Sequence, residues 1–187
     1  MKSVDLLAPT YVQMLTALST WLDKAKAQLL DDADGILSAR LAHDMFPLST
    51  QVRFACVQAQ EGMFRLRGEE FPASLADLLD EGRNAGERPG TIEEAQSRIK
   101  ETISLIQSLS DSIGEIDPNR AIAHAIPNGM IFDLSIEKYV RDWAIAQFYF
   151  HVMTAYAILR NREIELGKAD YVSHMFSYLR SGTMPQN

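Results

Sequence analysis

Apolar residues recur along this chain at spacings of three and four, broken by short polar punctuations. Leu7, Tyr11, Met14, Leu18, Leu22, Ala25 and Leu29 form one such stripe, which predicts an amphipathic helix ended by the polar run Asp31–Gly35. A second stripe follows Pro47, a good first-turn residue: Leu48, Val52, Ala55, Ala59, Met63 and Leu66, with Gly68 as its stop. A third opens on Thr91-Ile92-Glu93-Glu94, in which Thr91 and Glu94 can each satisfy one orphan backbone N–H. Its core side reads Ile92, Ala95, Ile99, Ile103, Ile106 and Ile113, and Gly114 with Asp117-Pro118-Asn119 stops it. Between the second and third stripes, Phe71 to Glu81 fits a short helix with Pro72 in its first turn, and Gly82 to Gly90 reads as a mobile loop.

The period then changes. Ile122, His124 and Ile126 alternate with small residues, and Met130, Phe132 and Leu134 alternate again after Pro127-Asn128-Gly129, which predicts a short β-hairpin. Ser135 can cap a fourth helix running to about Asn161. That helix is apolar almost all round, so it is expected to be the most buried of the four. The tail from Leu166 to Tyr178 is expected to pack across one end. These elements describe an all-α, up-down four-helix bundle with a short hairpin before the fourth long helix, as a single domain over residues 1–187.

Composition narrows the function. At 187 residues with 47% hydrophobic content, the chain suits one domain with a sizeable core. A net charge of −7 argues against nucleic acid as a partner, because phosphate neutralisation needs a basic face. Arg53, Arg65 and Arg67 read as a solvated face among acidic neighbours. With the single Cys56 no intrachain disulfide can form, which fits a reducing, cytoplasmic setting. Cys56 lies on the apolar side of its helix and reads as a buried, inert thiol. The first residues lack the apolar core and cleavage region of a signal peptide. The uncharged stretch from Trp143 to Leu159 is slightly short for a membrane span and carries Gln147, His151 and Thr154, so no membrane association is expected.

Candidate chemistry centres on His151. A transition-metal site needs about three protein ligands converging from facing helices. The four histidines are His43, His124, His151 and His174, and no two share helical spacing. One turn from His151 stand Gln147, a poor ligand, and Ala155, which is none. Burying an unpaired imidazole costs a few kcal/mol, so His151 requires partners. The candidates are Asp44, Gln51, Gln147 and Tyr156, forming either a structural network or the lining of a small polar pocket. A composite metal site with His43 or Asp44 is the alternative. There is no glycine-flanked serine elbow or glycine-rich phosphate loop. The pairs Asp31-Asp32, Glu69-Glu70 and Glu93-Glu94 fall at helix ends and loops. Gly167 to Tyr171 reads as a turn pinned by a Lys168–Asp170 or Arg160–Asp170 pair.

Three segments carry a resemblance: Arg40 to Leu48 with Gln51-Val52, Phe148 to Arg160, and Leu166 to Tyr171. Together they resemble a bacterial family of unknown function within the DinB-like superfamily of four-helix bundles. The resemblance spans nearly the whole chain in the same order. It implies a bundle that in many members holds a divalent metal on three histidines, one on helix two and two on helix four a turn apart. It also implies thiol-dependent transferase activity in some members and dimerisation through bundle helices. This chain departs from that ligand pattern: only His151 matches, Ala155 stands where its partner belongs, and helix two has no histidine. The expectation is therefore a homodimeric binding or structural module for an unidentified small molecule, with no cofactor. The alternative is a metal- or thiol-dependent transferase with a rearranged site.

Overall fold

A computed structural model describes residues 3–126 and 128–183. Four long helical segments form the bundle: α1 (Ser3–Leu29), α2 (Leu48–Arg67), α4 (Ile92–Asp111) and a rod that ends the bundle. A shorter α3 (Ala73–Asn84) lies between α2 and α4. The rod begins as α5 (Ile136–Lys138), passes through a π-helical segment, Tyr139–Ala144, and continues as α6 (Ile145–Asn161). A two-stranded antiparallel hairpin, β1 (Ala121–Ala125) and β2 (Ile131–Ser135), precedes it with Ala123 opposite Asp133. The short α7 (Lys168–Tyr171) follows the rod. The four-helix bundle with its hairpin is thus present as expected; Pro127 of the hairpin turn lies outside the described residues.

The punctuation works as the sequence chemistry dictates. Thr91 Oγ1 accepts from the Glu94 N–H at 3.1 Å, and the Thr91 N–H donates back to Glu94 Oε2 at 2.9 Å. Gly68 takes the left-handed conformation (φ 72°) that ends α2. Ser135 Oγ accepts from the Lys138 N–H at 3.3 Å and starts the rod. One boundary differs. α3 runs through Gly82, which the sequence placed in a loop. Gly82 is buried, and a Cβ there would meet the Phe54 ring at 2.6 Å, so this glycine permits close packing of α3 on α2.

The burial order corrects another expectation. α1 and α2 each pack against both α4 and α6, and α2 also carries α3. α2 is therefore the central helix, with fifteen of its twenty residues buried, against seven of seventeen on α6. α6 leaves Phe150 and Met153 exposed. Its uniform apolar character reflects an outward apolar face rather than complete enclosure. Cys56, as expected, is fully buried, and burial pushes its thiol up to about 12.

The tail packs on α1. The Tyr171 ring stacks on Trp21 with centroids 6.1 Å apart, and Trp21 Nε1 donates to the Asp170 carbonyl at 3.3 Å. Asp170 pairs with Lys24 at 2.5 Å, so the partner is neither Lys168 nor Arg160. Arg160 instead donates to the Ile164 carbonyl.

Candidate functional site

His151 sits on the α2-facing side of α6 with 8% of its surface exposed. Its Nδ1 lies 2.9 Å from Gln51 Oε1. Gln51 Nε2 donates to the Phe46 carbonyl at 3.3 Å, which turns Oε1 toward the imidazole. Nδ1 is therefore the protonated nitrogen, and Nε2 carries the lone pair. Nε2 has no hydrogen-bond partner among the described residues, so it is free to act as an acceptor. Phe54 and Phe150 stand edge-on to the ring, each at 5.3 Å, and Phe46 packs on Phe54 at 5.6 Å. Burial in this aromatic collar pushes the imidazole down to about 4, so it is neutral near pH 7.

Of the five expected pocket residues, Gln51 and His151 meet. Gln147 is half-buried one turn before His151 on the same helix. Asp44 does not join them: its side chain is 75% exposed in the turn before α2, and its neighbour is the almost fully exposed His43 at 4.0 Å. A carboxylate in that turn keeps its hydration, and burying it against a neutral imidazole would offer no compensating charge. Tyr156 points away from His151, because five residues turn a helix by about 140°. Its ring packs against Trp21 at 5.3 Å and Tyr171 at 6.3 Å instead. Arg53 also departs from expectation. It is 2% exposed, donates to Glu81 at 2.6 Å and to the Ser49 carbonyl at 3.2 Å, and ties α2 to α3 rather than facing solvent.

A second polar group, about 20 Å farther along α2, had no clear sequence signal. Glu61 and Arg65, one turn apart on α2, lie in the electrostatic reach of Tyr139 at the start of the rod. His124 of β1 packs between Tyr139 (5.5 Å) and Trp143 (4.3 Å). The Tyr11 hydroxyl of α1 fills the space beside Gly62, where a Cβ would meet it at 2.4 Å. Burial pushes Glu61 up to about 7 against the opposing pull of Arg65. The period-two placement of His124 on the inward face was the one available clue.

Comparison with protein families decides the kinship. A family model described as a domain of unknown function, DUF1993, matches residues 4–172. The chain belongs to the DUF1993 family. Its fold is also that of a DinB family member from Shewanella denitrificans, whose crystal structure is 29% identical, covers 98% of this chain and 94% of its own, and superposes with a TM-score of 0.69. A comparison with curated proteins gives no match. The DinB-like fold of this DUF1993 chain raises the question of a metal. Among the described residues no three His, Cys, Asp or Glu side chains stand close enough to form a ligand set. At His151 the facing α2 residue is Gln51, the next-turn residue is Ala155, and Nδ1 is already engaged. These residues do not fit a three-histidine centre. Among the described residues no helix is long and apolar enough to cross a membrane.

Proposed function

We propose that this DUF1993 protein is a single-domain, dimeric binding module whose polar site is centred on Gln51 and His151, without metal chemistry. The observation that carries this reading is the 2.9 Å Nδ1–Gln51 bond, which locks a neutral imidazole and leaves Nε2 as its acceptor. Such a nitrogen accepts a hydrogen bond from a ligand N–H or O–H, and the Phe46, Phe54 and Phe150 rings offer an apolar wall beside it. Gln147 supplies a further amide on the same face of α6. The exposed Phe46 and Phe150 support a dimer, since they leave apolar surface beside this site. Acidic balance speaks against nucleic acid, and the reducing cytoplasm remains the expected setting.

Native mass spectrometry of the untagged chain tests the reading. A dimer mass with no bound metal, weakened by Phe150→Asp, supports it; a monomer, or a dimer indifferent to that substitution, rejects the proposed assembly.

A further inference from the structure

Eight buried side-chain nitrogen or oxygen atoms have no hydrogen-bond partner among the described residues. Five of them belong to one group: Tyr11 Oη, Arg65 Nε, both ring nitrogens of His124 and Trp143 Nε1. Buried polar atoms are ordinarily paired, so this concentration of orphans sets the region apart, and Arg65 carries it onto the wall of the cavity described next. The set is rich in donors. Arg65 Nε and Trp143 Nε1 can only donate, and only one His124 nitrogen must accept. Glu61, one turn from Arg65 on α2, is a carboxylate of this group, but it does not line the cavity described next. Tyr139 and Trp143 both lie on the π-helical segment, a rare geometry that gathers at functional sites.

Beside this group opens a cavity of about 460 Å³ between the end of α2, the α2–α3 connection and β1. Arg65 joins the two, its guanidinium carbon lying 4.7 Å over the Phe71 ring on the cavity wall. Arg120 is held on another wall by donating to the carbonyls of Arg65 at 2.5 Å and Leu66 at 2.8 Å, so its charge is in place before any ligand arrives. β1 adds its free edge. The Ile126 N–H donates to the Met130 carbonyl and the Ile136 N–H to the Arg120 carbonyl, which sets the even-numbered residues of β1 as those bonded to β2. The N–H groups of Ala121 and Ala123 therefore point out of the open edge, and both residues line the cavity. Of the two carboxylates there, Glu69 is already taken by Arg67 at 2.6 Å, and Glu70 is exposed.

We propose that this cavity is an oxyanion site that takes the carboxylate or phosphate group of a small molecule, held by Arg65, Arg120 and the edge N–H groups of Ala121 and Ala123. Two guanidinium groups with two converging backbone donors are the chemistry that recognises a planar carboxylate or a phosphate. Phe71 gives an apolar surface for the rest of the ligand. This site lies at the opposite end of α2 from Gln51 and His151 and does not depend on them.

The test is an NMR titration of the full chain with inorganic phosphate and, separately, acetate at constant ionic strength. Saturable shifts of the Ala121 and Ala123 amides are expected with at least one ion. Phosphate alone identifies a phosphate ligand; acetate alone or both identifies the carboxylate class. Arg65→Gln is expected to weaken binding about tenfold or more, and Arg65→Lys, which keeps the charge and the fold but loses the fork, several-fold. Arg98→Gln, on α4, should leave it unchanged. Absence of saturable shifts with both ions, or equal binding by wild type and Arg65→Lys, overturns the proposal.

Discussion

His151 Nδ1 and Gln51 Oε1 meet at 2.9 Å across the α2–α6 interface, and that contact fixes the state of both side chains. Gln51 spends its amide on His151 and on the Phe46 carbonyl, so its rotamer is set from both ends. Removing the amide strands a buried imidazole N–H. Gln51→Leu is expected to cost about 1–3 kcal/mol in urea denaturation, the range for an unsatisfied buried donor. In a His151→Leu background the same change should cost much less. A double-mutant cycle with no coupling energy would show that the two side chains are merely adjacent.

Glu61 and His151 titrate in opposite senses, and stability should follow. Burial raises Glu61 from 4.5 to about 7, so the folded chain holds a proton that the unfolded chain releases. Its contribution is complete below pH 4.5 and is lost as pH rises toward 7. Burial lowers His151 from 6.5 to about 4, so the unfolded chain takes up the proton first. That contribution is complete above pH 6.5 and is lost as pH falls toward 4. Over the shared window the two offset each other. Glu61→Gln should therefore gain stability relative to wild type as pH rises from about 4.5 to 7, by about 3 kcal/mol. Urea midpoints of both proteins across that range check it; a pH-independent difference would contradict the assignment.

The helical stripes, caps and hairpin were legible because each rests on local chemistry: the Thr91–Glu94 box, Gly68, Ser135 and the period-two run around His124. The pairing of Gln51 with His151 was also within reach, since a buried imidazole demands a partner and few polar residues lie on apolar faces. What sequence could not rank was the burial of whole helices. α6 is the more apolar, yet α2 is the more enclosed, because enclosure depends on how many neighbours a helix has. Arg53 reads as a surface arginine until α3 folds back and places Glu81 beside it. The π-helical segment has no residue signature, so the sequence did not show where the rod departs from α-geometry.

Gly82 separates propensity from packing. Helix propensity alone would have Gly82→Ala stabilise α3 by about 1 kcal/mol. A Cβ 2.6 Å from the Phe54 ring and 3.3 Å from the Arg53 Cβ reverses the sign. The variant should be about 1–3 kcal/mol less stable in urea denaturation, the cost of overpacking. A more stable variant would show that α3 is free to shift.

Two arginines near α3 should differ sharply. Arg53 is buried and bonded to Glu81 and the Ser49 carbonyl, whereas the Arg83–Asp80 pair is largely exposed. Arg53→Ala is expected to cost about 2–4 kcal/mol through lost packing and a stranded Glu81. Arg83→Ala should stay within about 0.5 kcal/mol. Thermal unfolding of the two variants side by side measures the contrast, and equal effects would contradict the burial of Arg53.

The central claim is that His151 is a hydrogen-bonded imidazole in a site without a metal ligand set. Calorimetric titration of the metal-free, untagged chain with zinc and with nickel tests it most directly. The expected result is no saturable heat that differs between wild type and His151→Ala. Stoichiometric binding of either ion that disappears in His151→Ala would contradict it.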